Sequence, residues 1–265
     1  MRHRYPAVTK FFNFLRNNKL APTAVKLKVL QACVTSALLH NCEAFGSKFP
    51  EDLERLYFSL IKSALGVRKN TANDLVLVEP GLLNLKGMIY SRQYKFYQTF
   101  ISNLQQNSAR QSVFFALRNN GNTFLKHYSD LLHTYQSHSD IKTHYRQENV
   151  DKVRRLASSD SHYKYQLYVM FNPNLKPVDL SKSYSFSFSR LRLSSHSMPV
   201  ELGRWNRLKR DVRLCSVCKT VGDEKHFIYS CPTIERSELT DLPPMEKLAE
   251  YEKLPILLKS LEFYL

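Results

Sequence analysis

Four residues near the C-terminus have the types and the spacing that suit a bound metal ion. Cys215 and Cys218 form a Cys-x2-Cys turn, and His226 and Cys231 follow on the returning segment. Thiolates and imidazole nitrogens at the corners of a tetrahedron are the usual ligands of structural zinc. Because four protein ligands leave no open position for water or substrate, the pattern predicts a structural Zn²⁺ site. Gly222 is expected to supply a positive φ in the connecting turn.

The alternative interpretation of these residues is a set of unpaired thiols beside a surface histidine. Five cysteines scattered over 265 positions would rarely place three in this window together with a correctly spaced histidine, so we favour zinc. Metal ligation also stabilises segments that are too small for a core, by about 10–16 kcal/mol in free zinc-finger peptides.

The odd cysteine count and this tight cluster indicate a reducing compartment rather than a disulfide framework. We therefore expect an intracellular protein of the nucleus or the cytoplasm. Cys33 and Cys42 lie in or beside an apolar helical pattern and are expected to be small core residues.

The segment that precedes the cysteine cluster is strongly basic. From 182 to 213 there are eight Lys and Arg residues against two acids, and the only tryptophan lies among them. Basic side chains interleaved with aromatic ones suit phosphate contacts combined with base stacking. The predicted nucleic-acid-binding residues are Arg190, Arg192, Arg204, Trp205, Arg207, Lys209, Arg210 and Arg213. For any one of them we favour the alternative, which is a solvated charge, an arginine bound to Glu201 or to a helix C-terminus, or a core tryptophan. For the cluster as a whole we favour nucleic acid.

The charge of the whole chain favours the same kind of partner. The 39 Lys and Arg residues exceed the 23 Asp and Glu residues, for a net charge of +16. Residues 223–265 hold nine acids and five bases, which leaves a net charge of +20 on residues 1–222. Such a field favours polyanions such as RNA and DNA, and the alternatives are mere solubility or acidic protein partners. No run of about 18 apolar residues occurs, so no membrane span is expected.

Helical periodicity predicts the elements that position these residues. The clearest helix is expected to begin at Pro50, with Glu51 and Asp52 in its first turn, and to end at Gly66. Thr23 is expected to cap an earlier helix. Apolar residues three and four apart predict three further helices, over 85–104, 124–135 and 147–158. With only seven glycines in the chain, these patterns predict a mainly α fold.

Three further segments carry predictions of their own. Two prolines in 170–182 predict a loop and a domain boundary. The stretch SYSFSFSRLRL at 183–193 alternates like a strand but also has a helical face, and we prefer the helix. The stretch EYEKLPILLKSLEFYL at 250–265 predicts an amphipathic helix that could dock a protein partner. His196 is expected to be a hydrogen-bonded structural residue.

Two blocks of the chain, in this order, resemble the C-terminal part of a known family. The first block contains ALLHNCEAFG, SALGV and VEPGLLNL, and covers roughly 25–104. The second block covers roughly 183–232 and reads Arg190-x-Arg192-Leu193-x2-His196-x4-Glu201-x-Gly203-Arg204, Arg213-x-Cys215-x2-Cys218 and His226-x4-Cys231-Pro232. Together they resemble the thumb region and the zinc knuckle of non-LTR (LINE-type) retrotransposon reverse transcriptases.

The resemblance implies three regions. These are a helical thumb-like domain at 1–110, a helical connector at 111–180, and a C-terminal part at 181–265. The last part would hold the basic helical segment, a small CCHC zinc knuckle and the C-terminal helices.

One departure from the family concerns catalysis. Polymerase chemistry needs paired aspartates that hold two metal ions, whereas the ten aspartates of this chain all occur singly. We therefore expect a non-catalytic fragment, and the resemblance implies that it grips template RNA or target DNA and has no small-molecule substrate. The alternatives are a zinc-dependent protein-interaction adaptor and an inactive retroelement relic.

Overall fold

The computed structural model describes residues 6–45, 50–104, 123–159 and 161–265, together with positions 109, 111, 112 and 116. These residues fold into helices joined by turns, with no β-strand among them, which confirms the mainly α prediction. The α-helices are α1 (Pro6–Asn17), α2 (Thr23–Val29), α3 (Ser36–Leu38), α4 (Glu51–Leu65), α5 (Asn73–Val78), α6 (Leu85–Leu104), α7 (Thr123–Thr134), α8 (His138–Ala157), α9 (Tyr163–Phe171), α10 (Ser185–Arg192), α11 (Pro199–Trp205), α12 (Glu224–Tyr229) and α13 (Leu254–Ser260). A π-helical turn (Leu30–Thr35) joins α2 to α3, and 3₁₀ turns occur at Cys42–Phe45, Arg210–Val212 and Met245–Glu250.

Helix α4 shows how the local sequence sets the limits of an element. Glu51 and Asp52 lie in its first turn, where the helix dipole favours carboxylates, and Pro50 occupies the N-cap position. Gly66 ends the helix at a φ of +68°, and its N–H donates to the carbonyl of Ser63 at 3.3 Å. The predicted helix is confirmed, with its first residue one position later than expected.

The predicted cap of α2 is wrong. Helix α2 begins at Thr23 itself, and Pro22 holds the N-cap position without a side-chain hydrogen bond. Thr23 is buried, and its Oγ1 accepts a hydrogen bond from the Oγ of Ser185 at 3.2 Å. A contact between distant parts of the chain therefore uses the hydroxyl that a local cap would need.

The segment at 183–193 is helical, as preferred, and forms α10. Phe188 and Leu191, which are three residues apart, are both buried. The burial therefore follows the helical spacing of the apolar residues and not their strand-like alternation. The other predicted helices correspond to α6 (for 85–104), α7 (for 124–135) and the second half of α8 (for 147–158). Among the described helices, none combines the length and the apolar character that a membrane span requires.

Three clusters of buried apolar side chains hold the helices together. The first core joins α1–α6 to a few side chains from later parts of the chain, the second lies between Leu167 and Leu265, and the third joins α6, α7 and α8. Helix α9 serves two cores, because its Tyr168 belongs to the first while Leu167 and Phe171 belong to the second. Burial of each such side chain contributes about 1.5–3 kcal/mol, so α9 links the two cores firmly.

The predicted loop between α9 and α10 is present, but it is not an exposed linker. Leu175 and Leu180 are buried in the first core, and the N–H of Val178 donates to the carbonyl of Glu79 at 2.9 Å. The expected boundary near 180 thus falls in a segment that packs on the first core. The expected boundary at 110 lies outside the described residues, and the three-region division stays a prediction.

A buried ion pair ties α10 to the first core. Arg192 and Glu79 are at most 1% exposed and form this pair. Ser189 Oγ donates to the same carboxylate at 2.7 Å, and the hydroxyl of Tyr168 donates to its other oxygen at 3.1 Å. Because removal of one partner would leave a buried charge without compensation, such a pair fixes how its elements pack, at a cost of about 3–5 kcal/mol when broken.

Candidate metal centre

The first two cysteines of the cluster lie on a tight turn that follows α11. An antiparallel bridge between Leu214 and Val221 closes this turn, and the N–H of Cys215 donates to the carbonyl of Thr220 at 2.8 Å. Lys219 adopts a φ of +58°, which reverses the chain direction after the second cysteine.

The prediction for Gly222 is wrong, because the positive φ of this turn belongs to Lys219. A Cβ atom at Gly222 would lie only 2.7 Å from Cγ of Pro199 and 3.1 Å from the backbone nitrogen of Cys215. The N–H of Val200 donates to the carbonyl of Gly222 at 3.0 Å. Glycine is therefore required here for the close approach of the turn to the start of α11.

The other two ligands are positioned by the short helix α12. Asp223 caps this helix, and its carboxylate accepts a hydrogen bond from the N–H of His226 at 2.9 Å. Cys231 follows the helix, and its N–H donates to the carbonyl of His226 at 2.8 Å. Phe227 and Ile228 anchor α12 in the second core, so capping and packing together orient both ligands.

The four ligand atoms form a compact cluster. The Sγ atoms of Cys215, Cys218 and Cys231 and a ring nitrogen of His226 all lie within 4.8 Å of one another. The Sγ of Cys231 is 3.8 Å from that of Cys215 and 3.9 Å from that of Cys218. Zn–S bonds of about 2.3 Å at tetrahedral angles place two sulfurs about 3.8 Å apart. The cluster is therefore compatible with a zinc site.

The imidazole of His226 has one satisfied and one unsatisfied nitrogen. Its Nδ1 lies 3.3 Å from Oγ1 of Thr220, whereas its Nε2 is buried and has no hydrogen-bond partner among the described residues. A buried polar atom without a partner costs about 1–3 kcal/mol, and metal ligation would satisfy it. Nε2 is thus the fitting ligand atom, with Nδ1–H oriented by the threonine hydroxyl.

Shifted pKa values of two of the three thiols show why a cation would stabilise the cluster. Burial raises the pKa of Cys218, and the sulfurs of Cys231 and Cys215 raise it further, to about 11. Burial also opposes ionisation of Cys215, but hydrogen bonds from the backbone of Cys218 and Val217, together with contacts to the side chains of His226 and Cys231, outweigh it and bring that pKa to about 6. One thiolate therefore forms readily and opposes the next, and a divalent cation would stabilise all three.

Helix α12 is also held by a buried histidine. His196 Nε2 lies 2.7 Å from Oε1 of Glu224, and both side chains are fully buried. Ser194 Oγ donates to the same carboxylate oxygen at 3.3 Å. Because Glu224 lies in the first turn of α12, these contacts fix the helix that carries the histidine ligand. The prediction that His196 is a hydrogen-bonded structural residue is confirmed.

Three of the predicted nucleic-acid contacts are engaged within the protein. The prediction for Arg192 does not fit its position, because its guanidinium is buried against Glu79 and has no access to a phosphate. Arg204 is half-buried and pairs with Glu201. Arg190 is half-buried, and its Nε donates to a backbone carbonyl at 3.3 Å.

Two more of the predicted contacts, Arg210 and Arg213, stabilise the basic segment itself. Arg210 is exposed, but it pairs with Asp223 at 2.6 Å and its guanidinium lies 4.2 Å from the ring centroid of Tyr163. Arg213 donates from Nε to the carbonyl of Leu208 at 3.0 Å. The sequence shows that these residues are basic, but it could not show which of their charges bind partners within the protein.

The remaining predicted contacts are Arg207, Lys209 and Trp205. Arg207 and Lys209 are exposed and belong to no ion pair within the described part of the chain. Trp205 is half-buried beneath Arg68, whose guanidinium lies 3.7 Å from the centroid of the indole ring. Arg68 was missed from the sequence because it lies in a different block of the chain and no local signal marks it.

The two other cysteines differ from each other. Cys42 is buried in the first core, as predicted, but Cys33 is exposed. The prediction for Cys33 is wrong because its side chain lies on the outer side of the π-helical turn, whose buried residues are Leu30, Val34 and Thr35.

The amphipathic C-terminal helix uses its apolar face within the chain. Leu254, Leu257 and Leu258 of α13 are buried in the second core. That face is therefore occupied, although Phe263, beyond the helix, is largely exposed.

Comparison of the chain with models of protein families, with curated proteins and with solved structures finds no match.

Proposed function

We propose that this chain is a non-catalytic nucleic-acid-binding module in which a metal ion orders a basic surface. The observation that carries the proposal is the pair Arg207 and Lys209, which are exposed, free of carboxylate partners among the described residues, and located on the segment that leads into the Cys/His cluster. Such cations are available to phosphate oxygens. The net charge of +20 on residues 1–222 supports the same function, because it attracts polyanions at long range.

The metal we assign to the cluster is Zn²⁺. Three thiolates and one imidazole are the soft and borderline ligands that suit zinc, and they fill its tetrahedral coordination. With no open position left for water or substrate, the ion has a structural role.

Hydrogen bonds connect the zinc ligands to the basic segment. The carbonyl of Arg213 accepts from the N–H of Gly222 at 2.9 Å, and Nη1 of Arg213 donates to the carbonyl of Val200 at 3.0 Å. The segment 206–213 contains no buried residue, so its order depends on such contacts. Metal binding directly after Arg213 would therefore hold the surface that carries Arg207 and Lys209.

The setting we propose is the C-terminal portion of a non-LTR retrotransposon reverse transcriptase. The two sequence blocks support it, and so does a ligand cluster compatible with the zinc knuckle of that family. In this setting the helical region and the basic segment grip template RNA or target DNA, while a palm domain on another part of the polyprotein supplies the paired aspartates.

Fluorescence anisotropy of a labelled RNA stem-loop, titrated with zinc-loaded protein over a series of salt concentrations, tests the proposed function. We expect saturable binding whose log–log salt slope is several units, because each phosphate contact releases about 0.9 condensed counterion on a duplex. Substitution of Arg207 and Lys209 together by Gln should weaken binding and reduce the slope by about two. A DNA duplex measured in parallel decides between the two nucleic acids.

The matched control is the pair Lys247→Gln and Lys259→Gln, which removes two exposed cations from the acidic region 223–265. It should leave both the affinity and the slope close to those of the unaltered protein. Failure of the unaltered protein to bind at low salt, or binding that does not depend on salt, would contradict the proposed function.

A zinc-dependent protein-interaction adaptor is the second candidate, because apolar side chains are exposed beside the cluster. Leu208, Val212, Leu214 and Val217 are 46%, 54%, 42% and 56% exposed. Light scattering at several protein concentrations separates the two functions. A stable dimer without RNA affinity would support the adaptor, whereas a monomer that binds RNA would count against it.

A further inference from the structure

Two arginines from distant parts of the chain meet at Ser195, outside the metal cluster. The backbone N–H of Arg68, just after α4, donates to Oγ of Ser195 at 2.8 Å. The Nε of Arg190, on α10, donates to the carbonyl of Ser195 at 3.3 Å. Because Ser195 is fully buried, it anchors both arginines at a fixed place between the first core and α10.

Neither of these guanidiniums has a direct ion pair within the residues that the structure describes. Glu201 acts on Arg68 through its charge, but its carboxylate contacts Lys164 at 3.2 Å and Arg204. Burial lowers the pKa of Arg190, and repulsion from Arg68 lowers it further. Two half-buried like charges at one place attract an anion between them.

Trp205 adds a hydrogen-bond donor to this pair of charges. The guanidinium of Arg68 lies 3.7 Å from the centroid of its ring. The indole Nε1 is buried and has no acceptor among the described residues. Since an unsatisfied buried N–H is costly, an anionic oxygen that entered beside Arg68 and came within hydrogen-bond distance of Nε1 would lower the free energy of this arrangement.

We propose that Arg68, Arg190 and Trp205 form a binding site for one phosphodiester group of a nucleic-acid strand. Guanidinium forks match pairs of phosphate oxygens, and the indole N–H can donate to an oxygen as well. Trp205 is the last residue of α11, so a strand held here would continue onto Arg207 and Lys209. The inference rests on the proposed function, and it extends the basic surface to a residue of the first sequence block.

The experiment compares Arg68→Gln, Arg68→Lys and Arg55→Gln by anisotropy with a labelled single-stranded RNA. Arg55 is the matched control, because it is exposed on α4 and makes only surface ion pairs of small energetic value. We expect Arg68→Gln to raise the Kd about tenfold or more and to reduce the salt slope by about one. Arg68→Lys should restore part of the affinity, and Arg55→Gln should behave like the unaltered protein.

The only tryptophan of the chain provides a second readout. RNA binding should change the emission of Trp205, and the change should be lost in Arg68→Gln. Inorganic phosphate is titrated in a separate arm at constant ionic strength. Saturation by micromolar phosphate with the same change in emission would assign the site to free phosphate and overturn the nucleic-acid assignment.

The outcomes separate this inference from the proposed function. If the unaltered protein binds neither RNA nor DNA at low salt, both are wrong. Suppose instead that the unaltered protein binds RNA and that the Arg207/Lys209 variant binds it more weakly. If Arg68→Gln then has the same Kd as Arg55→Gln, only the proposed Arg68 site is wrong. Far-UV circular dichroism of each variant checks that a lost affinity does not reflect a lost fold.

Discussion

At the scale of single residues, Thr220 should tune the metal centre although it is not a ligand. Its hydroxyl lies 3.3 Å from Nδ1 of His226, which leaves the unpartnered Nε2 available to a metal ion. Loss of such an orienting contact typically lowers metal affinity by about 10- to 100-fold. We expect Thr220→Val to weaken zinc binding by about tenfold, as measured by competition with a chromophoric chelator.

The control for this prediction is Ser216→Ala, which removes an exposed hydroxyl from the same turn. It should leave the zinc affinity unchanged. Equal affinities for Thr220→Val and Ser216→Ala would show that the threonine does not orient the imidazole.

That the four Cys and His side chains come together could be predicted from the sequence, because all four lie within one short window. Local spacing places two cysteines on a turn and the other two ligands on the returning segment. Arg192 was misassigned for the opposite reason, since its partner Glu79 lies in another block of the chain. Arg68 was missed because only the fold brings it onto Trp205.

At the scale of elements, Gly66 decides both the end of α4 and its packing against α10. Its φ of +68° disfavours any residue with a Cβ, by roughly 1–2 kcal/mol. A Cβ there would also lie 1.7 Å from a ring carbon of Phe186. We expect Gly66→Ala to lower the free energy of unfolding by more than the backbone cost alone, as measured by urea denaturation.

The double variant Gly66→Ala with Phe186→Ala separates the two contributions. Truncation of Phe186 removes the clash but not the strain at positive φ, so the double variant should lose less stability than the two single losses together. Strict additivity of the two losses would show that the ring moves away without cost.

The elements themselves were predictable where periodicity was strong and local. Helices α4 and α6 follow their apolar spacing. The segment that forms α10 is helical, as its helical face predicted, although its aromatic residues also alternate as in a strand. The role of Thr23 was not predictable, because its hydroxyl bonds Ser185 from a distant loop. For the same reason the sequence could not show that the loop after α9 packs on the first core.

At the scale of the whole molecule, the Cys/His cluster belongs to the second of the three cores formed by the described residues. Cys215 and Cys231 are buried members of the second core, whereas the first core contains Cys42. Zinc ligation contributes about 10–16 kcal/mol in isolated peptides, which is comparable to the stability of a domain. Metal removal should therefore loosen the second core and leave the first core folded.

Thiol labelling with a chromogenic disulfide reagent measures this selectivity as the number of thiols that react and their rates. In the zinc-loaded protein we expect one fast-reacting thiol, the exposed Cys33. After chelation Cys215, Cys218 and Cys231 should also react, for four of the five cysteines. Cys42 should stay slow, because it is buried and its pKa is raised to about 11, chiefly by burial.

The labelling pattern distinguishes a local effect of the metal from a global one. If Cys42 reacts together with the three ligand cysteines, metal removal unfolds both cores, and the two cores form one cooperative unit through α9. If four thiols react at full speed before chelation, the cysteine cluster holds no metal. The selective pattern, with Cys42 protected until denaturant is added, would establish that zinc supports the second core and, through Cys215, the basic segment that precedes it.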